Sequence, residues 1–358
     1  QNYDLIIIHW SVDIHKEYNQ KILKRIKQFN GLKVIFRQDE HKNVRGIEEF
    51  VLDLRFDIFF SCIPKNVIKK IYSKKFLKHL KVKSILTSYV PEYFKFLKKQ
   101  PYEERPYFIG YRGRNLPFYL GSLGQDKKLI GDLFNKKISN SYNTNISSDE
   151  NQRIYGSYWF KFLSKCKCVL GTESGASIVD FDGRIEENTK IFLNTNPKST
   201  FKNCFDKLLK KIDGKISTNT ISPRIFEAIA NGCLLVLFEG KYNNIIKKWV
   251  HYIPVKKDGS NLNFVLKKIL NTSNSKKIIN RTFKEIVLSE KYSYKKFAID
   301  FDNEIFNSLK KKPINKSIFI NVVLYSIFKV ILIVYKIINQ CMSKNLKIFF
   351  KFKFFKLE

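Results

Sequence analysis

The chain has 358 residues, enough for two medium domains with real cores, whereas one domain of that size would be unusually large. Its 66 Lys and Arg against 32 Asp and Glu give a formal net charge of +34, which would ordinarily point to nucleic acid or an anionic membrane surface. Lys, Asn and Ile recur everywhere while Arg is scarce, so the excess reads as a general bias and the few arginines become the informative cations. No helix-turn-helix, zinc or RNP-like aromatic motif supports nucleic acid, which is not expected as a partner. The cysteines at 62, 166, 168, 204, 233 and 341 lack the paired spacing of a zinc site or a disulfide framework. They read as reduced, buried thiols of a cytoplasmic protein, and no metal or bound cofactor is expected.

In chain order, Asp4 to Ile8 reads as a buried strand that delivers His9, Trp10 and Ser11 at its carboxyl end. Ligands of open α/β sheets bind there, which makes His9 a candidate catalytic residue, although a lone His at a strand end also suits a structural role. No secretory signal precedes this strand. A helix over 19–29, a strand over 33–36, a strand over 57–60, a helix over 66–80 and a strand over 83–88 follow. Alternation at this pitch predicts a parallel, doubly wound α/β sheet. The polar run Arg37-Gln38-Asp39-Glu40-His41 sits at another strand end and has no metal-ligand spacing. The first domain is expected to close near Pro101, giving domains at 1–100 and 101–312.

A second sheet opens at Tyr107-Phe108-Ile109-Gly110 and runs into Tyr111-Arg112-Gly113-Arg114, ahead of a helix over 126–134 carrying Lys127 and Lys128. Strand, glycine-containing loop and helix start can together cradle a diphosphate with guanidinium forks and backbone N–H groups. Residues 139–152 are polar and turn-rich and read as a surface loop. A helix over 155–165 leads to a buried strand, 168–171, and to Thr172-Glu173-Ser174-Gly175, where Glu173 is placed to meet a donor sugar or an acceptor. Glu-Ser-Gly lacks the Gly-x-Ser-x-Gly elbow and a His partner, which argues against a serine hydrolase.

The most legible stretch is Ser222 to Gly240, SPRIFEAIANGCLLVLFEG. Ser222 suits an N-cap, Pro223 the first helical position and Gly232 the stop. The apolar run from Cys233 to Phe238 reads as a strand buried on both faces and left through Glu239 and Gly240. Arg224, Glu227 and Asn231 share a helix face, beside an N-terminus whose free N–H groups suit an anion. A helix over 242–249, a short edge strand over 251–255 and helices over 261–270, 276–289 and 292–310 complete the second domain.

Segment 222–240 resembles the donor-site helix of nucleotide-sugar glycosyltransferases built from two facing Rossmann-like domains, the GT-B architecture. The "group 1" class carries a Glu at the position of Glu227 followed by the small-residue run seen here as Ala228-Ile229-Ala230-Asn231-Gly232. The resemblance implies that Glu227 contacts the donor ribose, that Arg112 or Arg114 and Lys128 reach the donor phosphates, and that Ser222, Arg224 and Glu239 belong to the donor site. Many members carry a second Glu eight positions earlier, where this chain has Asn219. The Ser-Pro-Arg-x-Phe-Glu start, the Gly-x-Glu-Ser-Gly run, Asp180 to Gly183 and His251-Tyr252-Ile253-Pro254 are similar to a subgroup from bacterial surface-polysaccharide clusters. The implied activity is sugar transfer from a nucleotide diphosphate donor to a lipid-linked or polysaccharide acceptor, metal-independent and with retention of configuration. The rival reading is a non-catalytic GT-B-like binding protein or a basic nucleic-acid binder.

The tail, 313–358, is expected to differ. Ile318 to Tyr335 is nearly all apolar, and a polar stripe through Ser326, Lys329, Lys336, Gln340 and Ser343 favours an in-plane helix over a span. The lysine and phenylalanine run to Lys356 adds attraction to an anionic membrane surface, hence a peripheral association with the inner membrane.

Overall fold

The computed structural model describes residues 3–12, 19–138 and 142–310. Leu5 to Asn303 form one compact unit, and a second comprises the two chain ends, 1–4 and 304–358. The expected tail at 313–358 lies outside the described residues. Among the described residues no helix is long and apolar enough to cross a membrane.

The first sheet is built from β1 (Leu5–Ile8), β2 (Leu32–Arg37), β3 (Ile58–Ser61) and β4 (Lys81–Ser84), all parallel and in that spatial order. Parallel pairing needs crossovers. They are supplied by α1 (Gln20–Gln28), α2 (Val44–Asp53), and the pair α3 (Lys65–Ile71) and α4 (Lys74–His79). Helix α2 was not anticipated. Asn43 starts α2 in a left-handed conformation, φ 42°, with its side chain accepting from the Gly46 amide. The single helix expected over 66–80 is broken because Tyr72 turns extended, ψ 143°, and the Ser73 hydroxyl caps the next helix by accepting from the Phe76 amide. Val51, Phe56, Phe59 and Phe76 fill the core beneath this sheet.

The second sheet has the order β6-β5-β7-β8-β9, again all parallel. Its strands are β5 (Tyr107–Arg112), β6 (Thr144–Ser147), β7 (Cys166–Gly171), β8 (Leu234–Phe238) and β9 (Ile253–Val255), and every residue of β8 is buried. The helices on its faces are α5 (Ser122–Lys137), α6 (Gly156–Ser164), α9 (Pro223–Ala230), α10 (Leu262–Leu270) and α11 (Thr272–Thr282), while α7 (Arg184–Thr195) and the single turn α8 (Phe201–Cys204) pack together in a separate small cluster with Ile178 and Leu209. The stretch expected as a surface loop therefore contains an edge strand, β6, paired to β5. Helix α7 was not anticipated.

The expected helix over 242–249 is absent. Tyr242, Asn243 and Asn244 adopt three consecutive left-handed conformations, φ 46°, 54° and 60°, which no right-handed helix accommodates. After α11 the chain returns to the first sheet. The Val90 amide donates to the Tyr292 carbonyl, 2.7 Å, and the Tyr294 amide to the Val90 carbonyl, 3.2 Å. These bonds launch α12 (Tyr294–Leu309), on which Phe297 and Phe301 pack against Phe36 at the end of β2.

Arg105, one of the few arginines, is a structural clamp. Its buried guanidinium donates to the carbonyls of Gln100, Cys166, Gly232 and Asn231, tying the carboxyl end of α9 to the start of β7. The Asn231 and Gly232 carbonyls would otherwise be orphaned at a buried helix end.

Candidate functional site

Two cavities adjoin at the carboxyl ends of the strands. The first, about 170 Å³, is bounded by the ends of β5 and β7, by Arg153 and Trp159, and by Ser222, Arg224, Ile225 and Ala228 from the start of α9. The second, about 340 Å³, is bounded by Gln38 to Lys42 after β2, by Ile63 and Thr87, and on the other side by Tyr119, Ser174, Thr218, Thr220 and Pro223. Arg114 and Lys127 line both cavities.

The start of α9 is open. Ser222 has N-cap backbone angles, but its hydroxyl makes no capping bond; Pro223 has no N–H and the Ile225 amide donates to the Ser222 carbonyl, 3.0 Å, which leaves the Arg224 amide as the uncapped donor of the first turn. The start of α5 is closed. Asp213 accepts from the Ser122 amide, 3.0 Å, from the Ser122 hydroxyl, 2.6 Å, and from the Ser177 hydroxyl, 2.6 Å, while the Leu123 amide donates to the Ser177 oxygen. A side chain on Gly121, φ 75°, would strike this cluster. The expected phosphate cradle at the start of that helix is thus already filled by the protein's own carboxylate.

The two arginines after Tyr111 part company. Arg112 is buried, and its guanidinium donates to the carbonyls of Gln152, Tyr111 and Asn145 and to Asn145 Oδ1. It fastens the edge strand β6 and is spent on that task. Among the described residues Arg114 has no side-chain partner. Lys128 points to solvent and pairs with Asp132 at 2.5 Å, one turn along α5. The neighbouring Lys127 is the one that faces the cavities. Its ammonium has no partner among the described residues, and burial, together with Arg224 and Arg114 nearby, pushes its pKa down to about 8. Arg224 donates to the Arg112 carbonyl and lies over the Trp159 ring, 5.1 Å from its centroid. Glu227 sits behind that ring, accepting from Trp159 Nε1 at 2.7 Å, and burial raises its carboxyl above the ordinary range. Asn231, expected on the same ligand face, is instead the buried C-cap, its amide donating to the Glu227 carbonyl.

Three further candidates lie elsewhere. Glu173 is buried between the cavities and lines neither. Its carboxylate accepts from the Lys241 and Tyr242 amides and from Asn219 Nδ2, so it holds the left-handed turn after β8 and is not presented to a ligand. Glu239 is exposed just past β8 and borders neither cavity. His9 ends β1, the edge strand of its sheet, and is exposed with Nδ1 2.8 Å from the Ser11 hydroxyl. The cavities are reached from β2 and β3 instead.

The second cavity uses residues that the sequence displayed but did not single out. Asp39 has a left-handed backbone, φ 56°, and a side chain without a partner among the described residues. Glu40 is buried beneath it and accepts from the Ser61 hydroxyl and Cys62 amide, 2.9 Å each, and from the Tyr72 hydroxyl, 2.5 Å. Burial outweighs those three donors and raises its pKa to about 7. His41 is buried and uncharged near neutrality, its pKa lowered to about 4 by burial against the opposing effect of Asp39. On the facing wall Thr218 and Thr220 line the cavity while Asn219 between them turns back to Glu173. The position that carries a Glu in the resembled class therefore faces away from this cavity.

No protein-family profile matches the chain, and no curated protein matches it. Solved structures do. An alpha-glucosyltransferase in complex with UDP and a 13-mer DNA aligns over 85% of this chain and 80% of its own, at 11% identity and a TM-score of 0.52. The alpha-glucosyltransferase in complex with UDP-glucose and DNA containing an abasic site gives 86%, 80%, 11% and 0.49. TarM gives 84% of this chain, 54% of its own, 11% identity and 0.47. At such identity a likeness speaks to architecture. With two all-parallel sheets joined in this order, the chain has the α/β GT-B fold expected from its sequence.

Proposed function

We propose that the protein is a nucleotide-sugar glycosyltransferase. One observation carries the reading: Arg114 and Lys127, unpaired among the described residues, converge with Arg224 between two cavities and beside the open N-terminus of α9. Lys127 lies close to two like charges, which together with burial outweigh the opposing effect of Asp39, and it has no hydrogen-bonding carboxylate among the described residues; such an arrangement suits an anion. In this reading the nucleoside occupies the first cavity against Trp159, the diphosphate lies on Arg114, Lys127 and the start of α9, and the sugar projects into the second cavity; resemblance alone gives Glu227 the ribose, because its carboxylate is bonded to Trp159 and lines neither cavity. Transfer joins the acceptor oxygen to the anomeric carbon as the bond to the phosphate oxygen breaks. The cations and helix amides stabilise the charge that develops on the departing diphosphate, so no metal is required.

The finer reading is a lipid-linked or polysaccharide acceptor in surface-glycan synthesis, with retention, an acceptor domain over 1–100, a donor domain over 101–312 and a membrane-associating tail over 313–358. Resemblance supports the acceptor and the retention, and the amphipathic tail sequence supports the membrane. Vesicle co-sedimentation with and without residues 314–358 tests the tail. For the core claim, a panel of nucleoside diphosphates and their sugars is screened for thermal stabilisation. At least one should raise Tm in the wild type, and the rise should vanish in Arg114→Ala. A panel without effect would remove the donor reading.

A further inference from the structure

A third concavity lies beyond the acceptor side of the cleft, a groove of about 860 Å³ walled by Lys65, Asn66, Lys69 and Tyr89 on one side and Asn243 and Asn244 on the other. Its lining adjoins that of the second cavity along the chain. Ile63 and Thr87 line that cavity while their chain neighbours Pro64, Leu86 and Tyr89 line the groove, and the Ser84 hydroxyl bridges the two by donating to the Ile63 carbonyl, 2.6 Å. No carboxylate lines the groove.

The neighbouring sequence is nearly one-sided; a carboxylate from elsewhere in the chain, Glu48 of α2, accepts from the Ser73 amide at the start of α4. Between Asp57 and Glu92 the sequence has no acidic residue, and α3 and α4 expose Lys70, Lys74, Lys75 and Lys78 beside the two groove lysines. Among the described residues none of these six lysines has an ion pair. A field predominantly of one sign next to a concave wall raises the local concentration of the opposite charge.

Three kinds of polyanion differ in what else they need. A bilayer surface is gripped by apolar or aromatic side chains as well as lysines, yet none of the exposed large apolar residues falls between 58 and 91. Nucleic acid favours arginine and free aromatic faces, whereas the groove has no arginine and its Tyr89 is stacked on Phe297 at 4.6 Å with its hydroxyl accepting from the Leu86 amide. Point charges interleaved with side-chain amides suit a hydroxylated chain that bears anionic groups. We propose that the groove is an extended acceptor subsite for an anionic glycan, whose reacting hydroxyl lies in the second cavity while charged residues along its length lie on Lys65 and Lys69. The acceptor role rests on the glycosyl-transfer reading; the anion preference rests on the groove alone.

The test uses the full chain and three labelled probes followed by fluorescence polarisation at about 0.1 M salt: an oligogalacturonate, a neutral dextran oligosaccharide of equal length, and a short DNA duplex. The oligogalacturonate should bind and dextran should not. The double variant Lys65→Gln/Lys69→Gln should weaken oligogalacturonate binding roughly tenfold, while the equally exposed pair Lys210→Gln/Lys211→Gln, in the second half of the chain, should change it by no more than about twofold. Equal losses in both pairs, dextran binding as well as the oligogalacturonate, or DNA binding more tightly and falling in step with the groove pair would each overturn the proposal. Calorimetry with UDP separates the two claims. A wild type that ignores UDP but binds the glycan through Lys65 and Lys69 refutes the donor site and keeps the anion groove, and the converse refutes only the groove.

Discussion

Replacing Lys127 by Met should make the protein more stable and a poorer donor binder, and both effects have a computable origin. The Lys127 ammonium is displaced from an ordinary pKa of 10.5 to about 8, first by burial and then by Arg224 and Arg114. In the unfolded chain the group is protonated below 10.5, so between about 8 and 10.5 the unfolded state binds the extra proton and wild-type stability rises with pH. Below about 8 the full cost is present. At roughly 1.4 kcal/mol per unit, its ceiling is on the order of 3 kcal/mol. Met keeps the apolar stem and removes the charge, so at pH 7 the variant should gain about 1–3 kcal/mol. The gain should fade as pH approaches 10.5. Donor binding should move the other way, because a diphosphate favours the charged amine. Loss of a charge-assisted contact of about 1.5–3 kcal/mol corresponds to a tenfold to hundredfold rise in the UDP Kd. Urea denaturation at two pH values and UDP calorimetry give the two readouts. A variant that is less stable at neutral pH and binds UDP unchanged would refute the account of this side chain.

The two neighbouring arginines should separate by assay: Arg114→Lys should weaken UDP binding with little change in Tm, whereas Arg112→Lys, which cannot reproduce the fork holding β6, should lower Tm by several degrees. Equal behaviour of the two in both measurements would contradict their assignment. Glu227→Ala should raise the UDP Kd by an amount equivalent to about 1.5–3 kcal/mol, and an unchanged Kd would take that carboxylate out of the donor site. For Glu40, whose pKa is raised to about 7, the unfolded state loses its proton first, so wild-type stability should fall as pH rises from about 4.5 to 7. Glu40→Gln should flatten that part of the stability profile, and an identical slope in wild type and variant would show that another group titrates there.

The sequence was most readable where local chemistry decides the outcome. Ser222-Pro223 and Gly232, the latter at φ 68°, bracket α9 as their residue types require, and the unbroken apolar run of β8 could only be buried. It was least readable where distant residues decide. Lys127 and Lys128 are equivalent in composition, and only the rotational phase of α5 sends one to the cavities and the other to Asp132. His9 was placed by a rule about strand ends that says nothing of strand order, and β1 proves to be an edge. Glu173 meets partners contributed by Asn219, Lys241 and Tyr242, which no local pattern announces. The acidic and imidazole groups of the second cavity stood in plain view at Asp39 to His41, but their convergence with Thr218 and Thr220 belongs to the tertiary fold.

Asp213 has a meaning beyond holding a helix. A protein with two parallel sheets offers many amide-rich helix starts, and a mobile dianion would partition among them according to their relative affinities. By plugging the start of α5 with a tethered carboxylate at a fixed effective concentration, the chain removes a competitor next door to the cluster of Arg114 and Lys127. On the proposed reading selectivity is thus partly subtractive: a donor's phosphates would be directed to α9 because the neighbouring vacancy is already taken by the tethered carboxylate. Neutralising the plug, as in Asp213→Ala, would hand back a second berth, and free inorganic phosphate would then find two places to stop where the native chain leaves it one.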